Sequence, residues 1–165
     1  MAEQELIPHL FRTTFGKICA VLVRQFGIGH LSIAGDIASE TFLAALETWP
    51  YRGIPENPEA WLYTVAKNKT RNYLRRNQHF RREIAGRLGW VDPQSGEYDP
   101  DLSDQHISDS QLQMLFVVCH PAISPESQIS LALRILCGFG INEIATAFLT
   151  SADTIDKRLY RAKEK

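Results

Sequence analysis

The chain has 165 residues, of which 44% are hydrophobic and 22% are charged. This length suffices for one domain or two small ones, and the composition is that of a globular protein rather than a disordered one. No uninterrupted apolar run approaches the roughly 20 residues that span a bilayer, and the N-terminus is acidic where a signal peptide is basic. We therefore expect a cytoplasmic protein with no membrane partner.

The three cysteines, Cys19, Cys119 and Cys137, are widely spaced and odd in number. A disulfide framework normally needs an even count, so these residues are predicted to be reduced and buried thiols. No paired spacing of the C-x2-C type indicates a zinc site. Neighbouring residues such as Cys119 and His120 point about 100° apart on a helix and rarely share a metal. The sequence predicts neither a metal nor another cofactor.

The net charge of −1 conceals four blocks of opposite sign. Residues 1–66 carry −3, whereas residues 67–87 carry +7, with eight basic side chains against one acidic side chain. Residues 88–151 carry −7 and residues 152–165 carry +2. Two basic segments separated by an acidic one are typical of a protein that binds a polyanion at two places.

Glycine and proline divide the first half of the chain into helices. Residues 5–25 place apolar side chains every three or four positions, which predicts an amphipathic helix. The three glycines within residues 27–35 are expected to break it. A second helix is predicted over residues 36–49, with Pro50 at its end. A third is predicted over residues 58–87, because proline is favoured in a first turn.

The composition changes after the third predicted helix. Residues 89–109 contain six carboxylates and few bulky aliphatic side chains, which predicts a solvated acidic linker. Residues 110–119 resume a helical pattern, and Ser124 followed by proline is a helix start signal. No strand-like alternation is present. The predicted fold is all-α, with two small helical domains, residues 1–88 and 110–165, joined by the linker.

The third predicted helix combines aromatic and basic side chains. Lys67, Arg71 and Arg75 are spaced i, i+4, i+8 and form a stripe down one face. Aromatic platforms beside cations are what single-stranded nucleic acid needs, and Trp61 lies on the same helix. A solvated basic face with Trp61 in the core explains these residues equally well on their own.

The C-terminal segment has helix-turn-helix spacing. A short helix over residues 142–148 is followed by a tight turn at residues 149–151 and a longer basic helix. Ala145 permits a close helix crossing, and Thr150 or Ser151 can cap the second helix, which could then enter a major groove. A structural helical hairpin is the alternative, and the positive charge of the second helix favours DNA binding.

Taken together, these segments resemble the extracytoplasmic-function (ECF) branch of the bacterial sigma-70 factors. Residues 36–42 are similar to the segment that docks on the clamp helices of core RNA polymerase. Residues 57–76 are similar to the promoter-melting and −10-reading helix, and the closing helix-turn-helix is similar to the −35-reading module. The sequence Cys-His-Pro-Ala at residues 119–122 is similar to a subgroup that often carries a C-terminal extension.

The resemblance implies a transcription initiation factor with three functional surfaces. Core RNA polymerase would be bound by Asp36, Ile37, Glu40, Thr41 and Phe42. The −10 element, including a flipped base cradled by the loop before the third helix, would be bound by Tyr51, Arg52, Asn57, Trp61, Lys67, Asn68, Arg71, Asn72, Arg75 and Arg76. The −35 duplex would be bound by Ser151, Asp153, Thr154, Lys157, Arg158 and Arg161.

Three features depart from the family pattern or leave alternatives open. Asn72 stands where the family commonly has aspartate. Asp153 and Asp156 bring negative charge to the recognition helix, where a carboxylate can cap the helix or accept a hydrogen bond from cytosine. The acidic linker could mimic nucleic acid in the polymerase, hold off DNA until polymerase binds, or be a solvated tether.

Two other classes of protein compete with this interpretation. A stand-alone helix-turn-helix regulator would bind duplex DNA without polymerase, usually as a dimer. An enzyme is not expected, because no nucleophile–base arrangement, glycine-rich phosphate loop or ligand cluster is present in the sequence. The sequence stops within a helical pattern, which predicts a piece of a longer protein. An anti-sigma factor or the C-terminal extension is an expected regulatory partner.

Overall fold

The structure is a computed structural model that describes residues 3–87 and 100–164. Within these ranges the chain is helical and has no β-strand, which confirms the all-α prediction. A 3-10 turn at Ile28–His30 connects the first two helices. The α-helices of the described residues are α1 (Glu3–Phe26), α2 (Leu31–Arg52), α3 (Pro58–Arg76), α4 (Gln78–Arg87), α5 (Asp104–Val118), α6 (Pro125–Ile135), α7 (Ile141–Ala147) and α8 (Ala152–Lys163).

Helix α2 is longer than the sequence predicts at both ends. Gly35, expected to break the chain, lies inside the helix, and Pro50, expected to end it, lies in its last turn. A glycine within a helix costs about 1 kcal/mol relative to alanine. Burial of Leu31, Ala34 and other residues of the same stripe offsets this cost.

The predicted third helix is two helices, α3 and α4, separated at Asn77. The Asn77 side-chain oxygen accepts a hydrogen bond from the Phe80 backbone N–H at 3.1 Å and so caps the start of α4. Phe80 is buried edge-on against Phe26 and Tyr73, with ring centroids 5.2 and 5.4 Å apart. This aromatic packing fixes α4 against the end of α1.

Helix α1 is the central helix of the fold, contacted by α2, α3, α5 and α6. Its stretch Glu5–Phe26 is also long and apolar enough to cross a membrane by length and composition alone. Half of the tested window is buried within the protein, including Ile18, Leu22 and Phe26. A core helix of a globular protein passes the same test, and the packing identifies α1 as such a helix.

The second half of the chain packs directly against α1. Helix α5 lies along α1, and the end of α6 approaches Gly16 closely. A Cβ atom at Gly16 would lie 2.4 Å from the Leu136 carbonyl oxygen, so only glycine fits there. An exposed ion pair of 3.4 Å between Arg12 and Glu143 adds a further contact. The two halves therefore share an interface in this arrangement.

The predicted acidic linker, residues 89–109, lies partly outside the described residues, which resume at Pro100. Pro100–Ser103 have no regular secondary structure, and α5 begins at Asp104, so the last six residues assigned to the linker are helical. Leu102 and Ile107 are buried. The apolar side chains of this part are therefore packed against the protein, whereas Asp101, Asp104 and Asp109 are exposed.

The cysteines differ from the prediction that all three are buried. Cys19 is buried, whereas Cys119 and Cys137 are exposed, and all three are free thiols. Burial raises the pKa of the Cys19 thiol to about 12, although the charge of Arg134 acts in the opposite direction. Its thiolate is therefore scarce in the folded protein at neutral pH.

The thiols are expected to react at two different rates. In the native protein, a chromogenic disulfide reagent at neutral pH should titrate Cys119 and Cys137 quickly, and Cys19 only as fast as the protein unfolds. A Cys19→Ser variant serves as the control and should lose only the slow phase. Rapid reaction of all three thiols in the folded protein would contradict the packing of Cys19 in the core.

Candidate nucleic-acid and partner interfaces

The loop between α2 and α3 lies between two groups of predicted nucleic-acid residues. Gly53 ends α2 with a φ of 83°, a conformation that favours glycine, and its N–H donates to the Trp49 carbonyl at 2.9 Å. Tyr51, 88% exposed, and Arg52 precede the loop. Asn57 follows it and caps α3 by accepting a hydrogen bond from the Ala60 N–H at 3.0 Å. The cap and the glycine fix both ends of this short loop.

Trp61 is half-buried rather than fully available as a stacking platform. Its ring packs edge-on against buried Trp49, with centroids 5.4 Å apart. The contact joins the first turn of α3 to the last turns of α2. Trp61 thus supports the loop in addition to any role at the surface.

The faces of α3 separate the predicted DNA residues from the core. Leu62, Ala66, Thr70 and Leu74 are buried on one side. Lys67 and Arg71 lie half-buried at the edge of that face, and the Arg71 guanidinium donates to the Asn68 side-chain oxygen at 3.5 Å. The predicted −10 residues on the exposed side are Asn68, Asn72, Arg75 and Arg76.

A three-residue network connects the start of α3 to α1. The Glu59 carboxylate oxygen accepts hydrogen bonds from Lys17 Nζ at 2.7 Å and from the Tyr63 hydroxyl at 2.5 Å. Burial raises the pKa of Glu59, but the two hydrogen bonds and the Lys17 charge outweigh it, so the pKa lies below its ordinary value. Burial, followed by the bond to Glu59, raises the pKa of Tyr63. No local pattern predicts this network, because Lys17 is 42 positions away from Glu59 in the chain.

The Glu59 network predicts a contribution to stability that depends on pH. Because the folded-state pKa is lowered, the contribution is present above the ordinary glutamate value of 4.5 and is lost as the pH falls below it. In urea unfolding, Glu59→Gln should have a lower free energy of unfolding than wild type at pH about 7. Between pH about 5 and 3.5, this variant should lose less of its free energy of unfolding than wild type loses. If wild type and Glu59→Gln lost equal stability at acid pH, the assigned role of the Glu59 carboxylate would be contradicted.

The predicted polymerase-binding residues divide between the surface and the interior of α2. Asp36 and Glu40 are exposed one turn apart. Ile37, Thr41 and Phe42 are buried, with 4%, 0% and 4% of their surface exposed. Helical spacing turns these three side chains inward, so they do not offer surface to a partner here. Only the two carboxylates of the predicted set face outward.

Two exposed leucines extend the surface of α2. Leu43 and Leu46 are 51% and 53% exposed and lie one turn apart. They line an open groove of about 980 Å³ together with Phe11 and other residues of α1 and of the segment that follows α6. Spacing alone does not show where a buried stripe ends, so the sequence does not predict that these two leucines are exposed. The apolar groove and the acidic Asp36–Glu40 edge together form a candidate protein-docking face.

The turn between α7 and α8 confirms the helix-turn-helix spacing. Leu149 adopts a left-handed φ of 52°, and the Thr150 N–H donates to the Ala145 carbonyl at 2.9 Å. Ser151 caps α8, with its hydroxyl oxygen accepting from the Thr154 N–H at 3.2 Å. Ala145 is buried at the crossing, as the sequence predicts.

Helix α8 presents the predicted −35 residues on its outer side. Lys157 pairs with Asp153 at 2.7 Å on the exposed surface, and Arg158 lies half-buried with its guanidinium 5.9 Å from the centre of the Phe148 ring. Thr154 is half-buried at the cap, whereas Ser151 and Arg161 are exposed. Tyr160, 63% exposed, lies on the same surface and was not among the predicted residues. The hydroxyls, cations and aromatic ring suit a groove of duplex DNA.

Among the described residues, no group of three or more His, Cys, Asp or Glu side chains is arranged to hold a metal ion. The open groove beside α2 is lined mostly by apolar side chains, and its polar members are Ser39, Glu40, Glu143 and two arginines.

The family model for sigma-70 region 2 matches residues 10–80, which contain most of α1, all of α2 and the basic helix α3. Residues 10–80 of the chain belong to the sigma-70 family. The chain is similar to the ECF RNA polymerase sigma factor BldN of Streptomyces coelicolor, with 28% identity over 83% of the chain and 50% of BldN.

The matches to two further relatives cover different shares of those relatives' lengths. RNA polymerase sigma factor YlaC of Bacillus subtilis is 27% identical to this chain over 99% of the chain and 91% of YlaC. An uncharacterized protein of Rhizobium meliloti (strain 1021) is 36% identical over 86% of the chain but only 33% of its own length. The chain thus spans about a third of one curated relative and half of another. No solved structure matches it significantly.

Proposed function

We propose that the chain is a transcription initiation factor that binds core RNA polymerase and directs it to promoters. The observation that carries this proposal is the presence of three separate surfaces in one sigma-70 member. These are the docking face of α2, the loop and exposed side of α3, and the outer side of α8. A stand-alone helix-turn-helix regulator would need only the last of them.

The two nucleic-acid surfaces are assigned different forms of DNA. The loop at residues 53–57 and the α3 side chains Asn68, Asn72 and Arg75 are proposed to hold the unpaired −10 strand, because amide and cationic groups next to a rigid loop suit splayed bases. Helix α8 is proposed to read the −35 duplex. Residues 1–88 and 110–165 are the proposed carriers of these two functions.

The proposed function requires no catalytic chemistry from this chain and no cofactor. It acts where polymerase and promoter DNA meet, which is the cytoplasm. A protein that covers the α2 face or the α8 surface would inhibit it, and an anti-sigma factor or a C-terminal extension is the proposed partner of that kind. Each of these statements depends on polymerase and promoter binding by the surfaces described above.

Arg75 provides the test of the DNA-binding part of the proposal. It is exposed on α3, and Arg75→Ala is expected to weaken binding to promoter DNA and reduce the slope of log affinity against log salt by about 1. Fluorescence anisotropy over a salt series measures both. Arg12→Ala is the matched control, because Arg12 is exposed on α1 and its surface ion pair contributes little to stability.

An unchanged salt slope for Arg75→Ala would remove this residue from the set that contacts phosphate. Equal losses in the Arg75 and Arg12 variants would show that any surface arginine contributes through net charge alone. Either result would reject a specific phosphate contact by Arg75.

A further inference from the structure

The outer face of α8 carries an ion pair at its centre. The buried residues Ile155, Leu159 and Ala162 form the inner stripe of this helix. At about 100° per residue, Asp153 and Lys157 lie on the side opposite to that stripe. Both side chains are exposed, and Lys157 Nζ lies 2.7 Å from Asp153 Oδ2. A donor and an acceptor are therefore held together on the face of α8 that points away from the protein.

The helix cap fixes the turn that contains Asp153. Ser151 Oγ accepts a hydrogen bond from the Thr154 N–H at 3.2 Å, and the hydroxyl oxygens of Ser151 and Thr154 lie 2.8 Å apart. Asp153 lies within this capped first turn, and Lys157 lies in the next turn. The N-terminal residues of a recognition helix are those that contact base edges in a major groove. The ion pair is thus in the part of α8 that is best placed for such contacts.

The other cation in the first two turns of α8 faces a different way. Arg158 is half-buried, and its guanidinium lies 5.9 Å from the centre of the Phe148 ring at the end of α7. Arg161 is exposed, but it lies a further turn from the start of the helix. Lys157 is therefore the cation that the first two turns of α8 present at the centre of the outer face.

The ion pair allows a carboxylate to approach a groove that is lined by phosphates. Duplex DNA carries one negative charge per about 1.7 Å of its axis, so it would repel the charge of Asp153 alone. The Lys157 ammonium group offsets that charge, and the pair as a whole is neutral. Because an exposed ion pair typically contributes little to stability, its two groups can turn toward a base pair at small cost.

The hydrogen-bonding capacity of the pair matches the edge of one G·C base pair. A carboxylate has two oxygens and an ammonium group has three protons. With one oxygen and one proton used within the pair, one acceptor and two donors remain for DNA. In the major groove, guanine presents the neighbouring acceptors O6 and N7, and cytosine presents the N4 donor. In A·T, the adenine N6 donor separates the two acceptors, so no neighbouring acceptors face the ammonium group.

We propose that Asp153 and Lys157 act as one unit that selects a G·C base pair within the −35 element. Lys157 donates to guanine O6 and N7, and Asp153 accepts from cytosine N4. This inference rests on the proposed function of α8 as the −35 reader. It adds to that function a specific base pair and a role for a carboxylate that its charge alone would make unfavourable.

The experiment selects the sequences that the full chain binds from random duplexes of about 20 base pairs, at low salt, where phosphate contacts strengthen binding. Polymerase is not needed, because the outer face of α8 is exposed in the free chain. Sequencing of the bound duplexes gives the preference at each position. The wild-type chain should prefer G·C over A·T at one position by about 20-fold, a typical discrimination by a good bidentate contact.

Three alanine variants test whether the two side chains act together. Asp153→Ala and Lys157→Ala should each reduce the G·C preference about tenfold and leave the other positions unchanged. The double variant should lose no more preference than either single variant, because the two groups act as a unit. Asp156→Ala is the matched control, since Asp156 is exposed on the flank of α8 and its replacement removes the same charge. This control should raise affinity for all sequences equally.

Two results would overturn the paired contact, and they can be distinguished from each other. If Asp153→Ala kept the wild-type preference at every position and bound all sequences more tightly, Asp153 would only repel phosphate, and the proposed function of α8 would stand. If the wild-type chain enriched no sequence, α8 would be rejected as a −35 reader, and the paired contact with it. Thermal unfolding of each variant separates a loss of preference from a loss of folding.

Discussion

Replacing both Leu43 and Leu46 with serine is expected to weaken binding of core RNA polymerase about 100-fold. Both side chains are about half exposed on α2, beside the open groove and one turn from the carboxylate of Glu40. Apolar side chains near the centre of a protein interface typically cost about 1–2 kcal/mol each when truncated. Because the leucines are exposed in the free protein, their replacement should have little effect on folding.

The measurement is an equilibrium titration of labelled chain with core polymerase, accompanied by thermal unfolding of each variant. Leu149→Ser is the control, because Leu149 is 94% exposed in the turn between α7 and α8, away from α2. Wild-type affinity in the folded double variant would show that polymerase docks on another face. A similar loss in Leu149→Ser would point to nonspecific hydrophobic association.

Phe42→Ala is expected to lower the free energy of unfolding by about 3–5 kcal/mol, the usual cost of removing a buried phenylalanine. The Phe42 ring is 4% exposed and packs edge-on against Phe11 at 5.0 Å, with Phe15 at 6.5 Å. This cost is a large fraction of the 5–15 kcal/mol that typically stabilises a domain. A loss of polymerase binding in this variant must therefore be compared with its measured loss of stability.

Urea unfolding of Phe42→Ala and Leu43→Ala provides the comparison between adjacent residues. The Leu43 variant should remain within about 0.5 kcal/mol of wild type, because half of that side chain is already exposed. A midpoint near that of wild type for Phe42→Ala would contradict the aromatic cluster between α1 and α2.

Local signals in the sequence predicted most of the helical architecture. Ser124 and Ser151 cap α6 and α8 where the sequence predicts helix starts, and the turn between α7 and α8 lies where the spacing places it. These predictions depend on interactions within a few residues, which propensity and capping rules describe. Gly35 shows the limit of such rules. They predict that this glycine interrupts a helix, but it lies inside α2, where burial of its neighbours outweighs the preference.

The sequence alone does not predict that Phe42 is buried while its neighbour Leu43 is exposed. It likewise does not predict that Cys19 is buried while Cys137 is exposed. Which side of an apolar stripe is buried depends on the helices that pack against it, and α1 is packed by helices from both halves of the chain. The contact of Gly16 with Leu136 joins residues far apart in the sequence. A single sequence contains no local signal for contacts of this kind.

The central claim is that the chain binds core polymerase and selects promoters. The most direct measurement is retention of bacterial core RNA polymerase by the tagged chain, followed by run-off transcription from a promoter library. We predict retention of polymerase and transcripts that begin downstream of shared −35 and −10 sequences. Absence of polymerase retention, together with tight and specific duplex binding by the free chain as a dimer, would contradict the account.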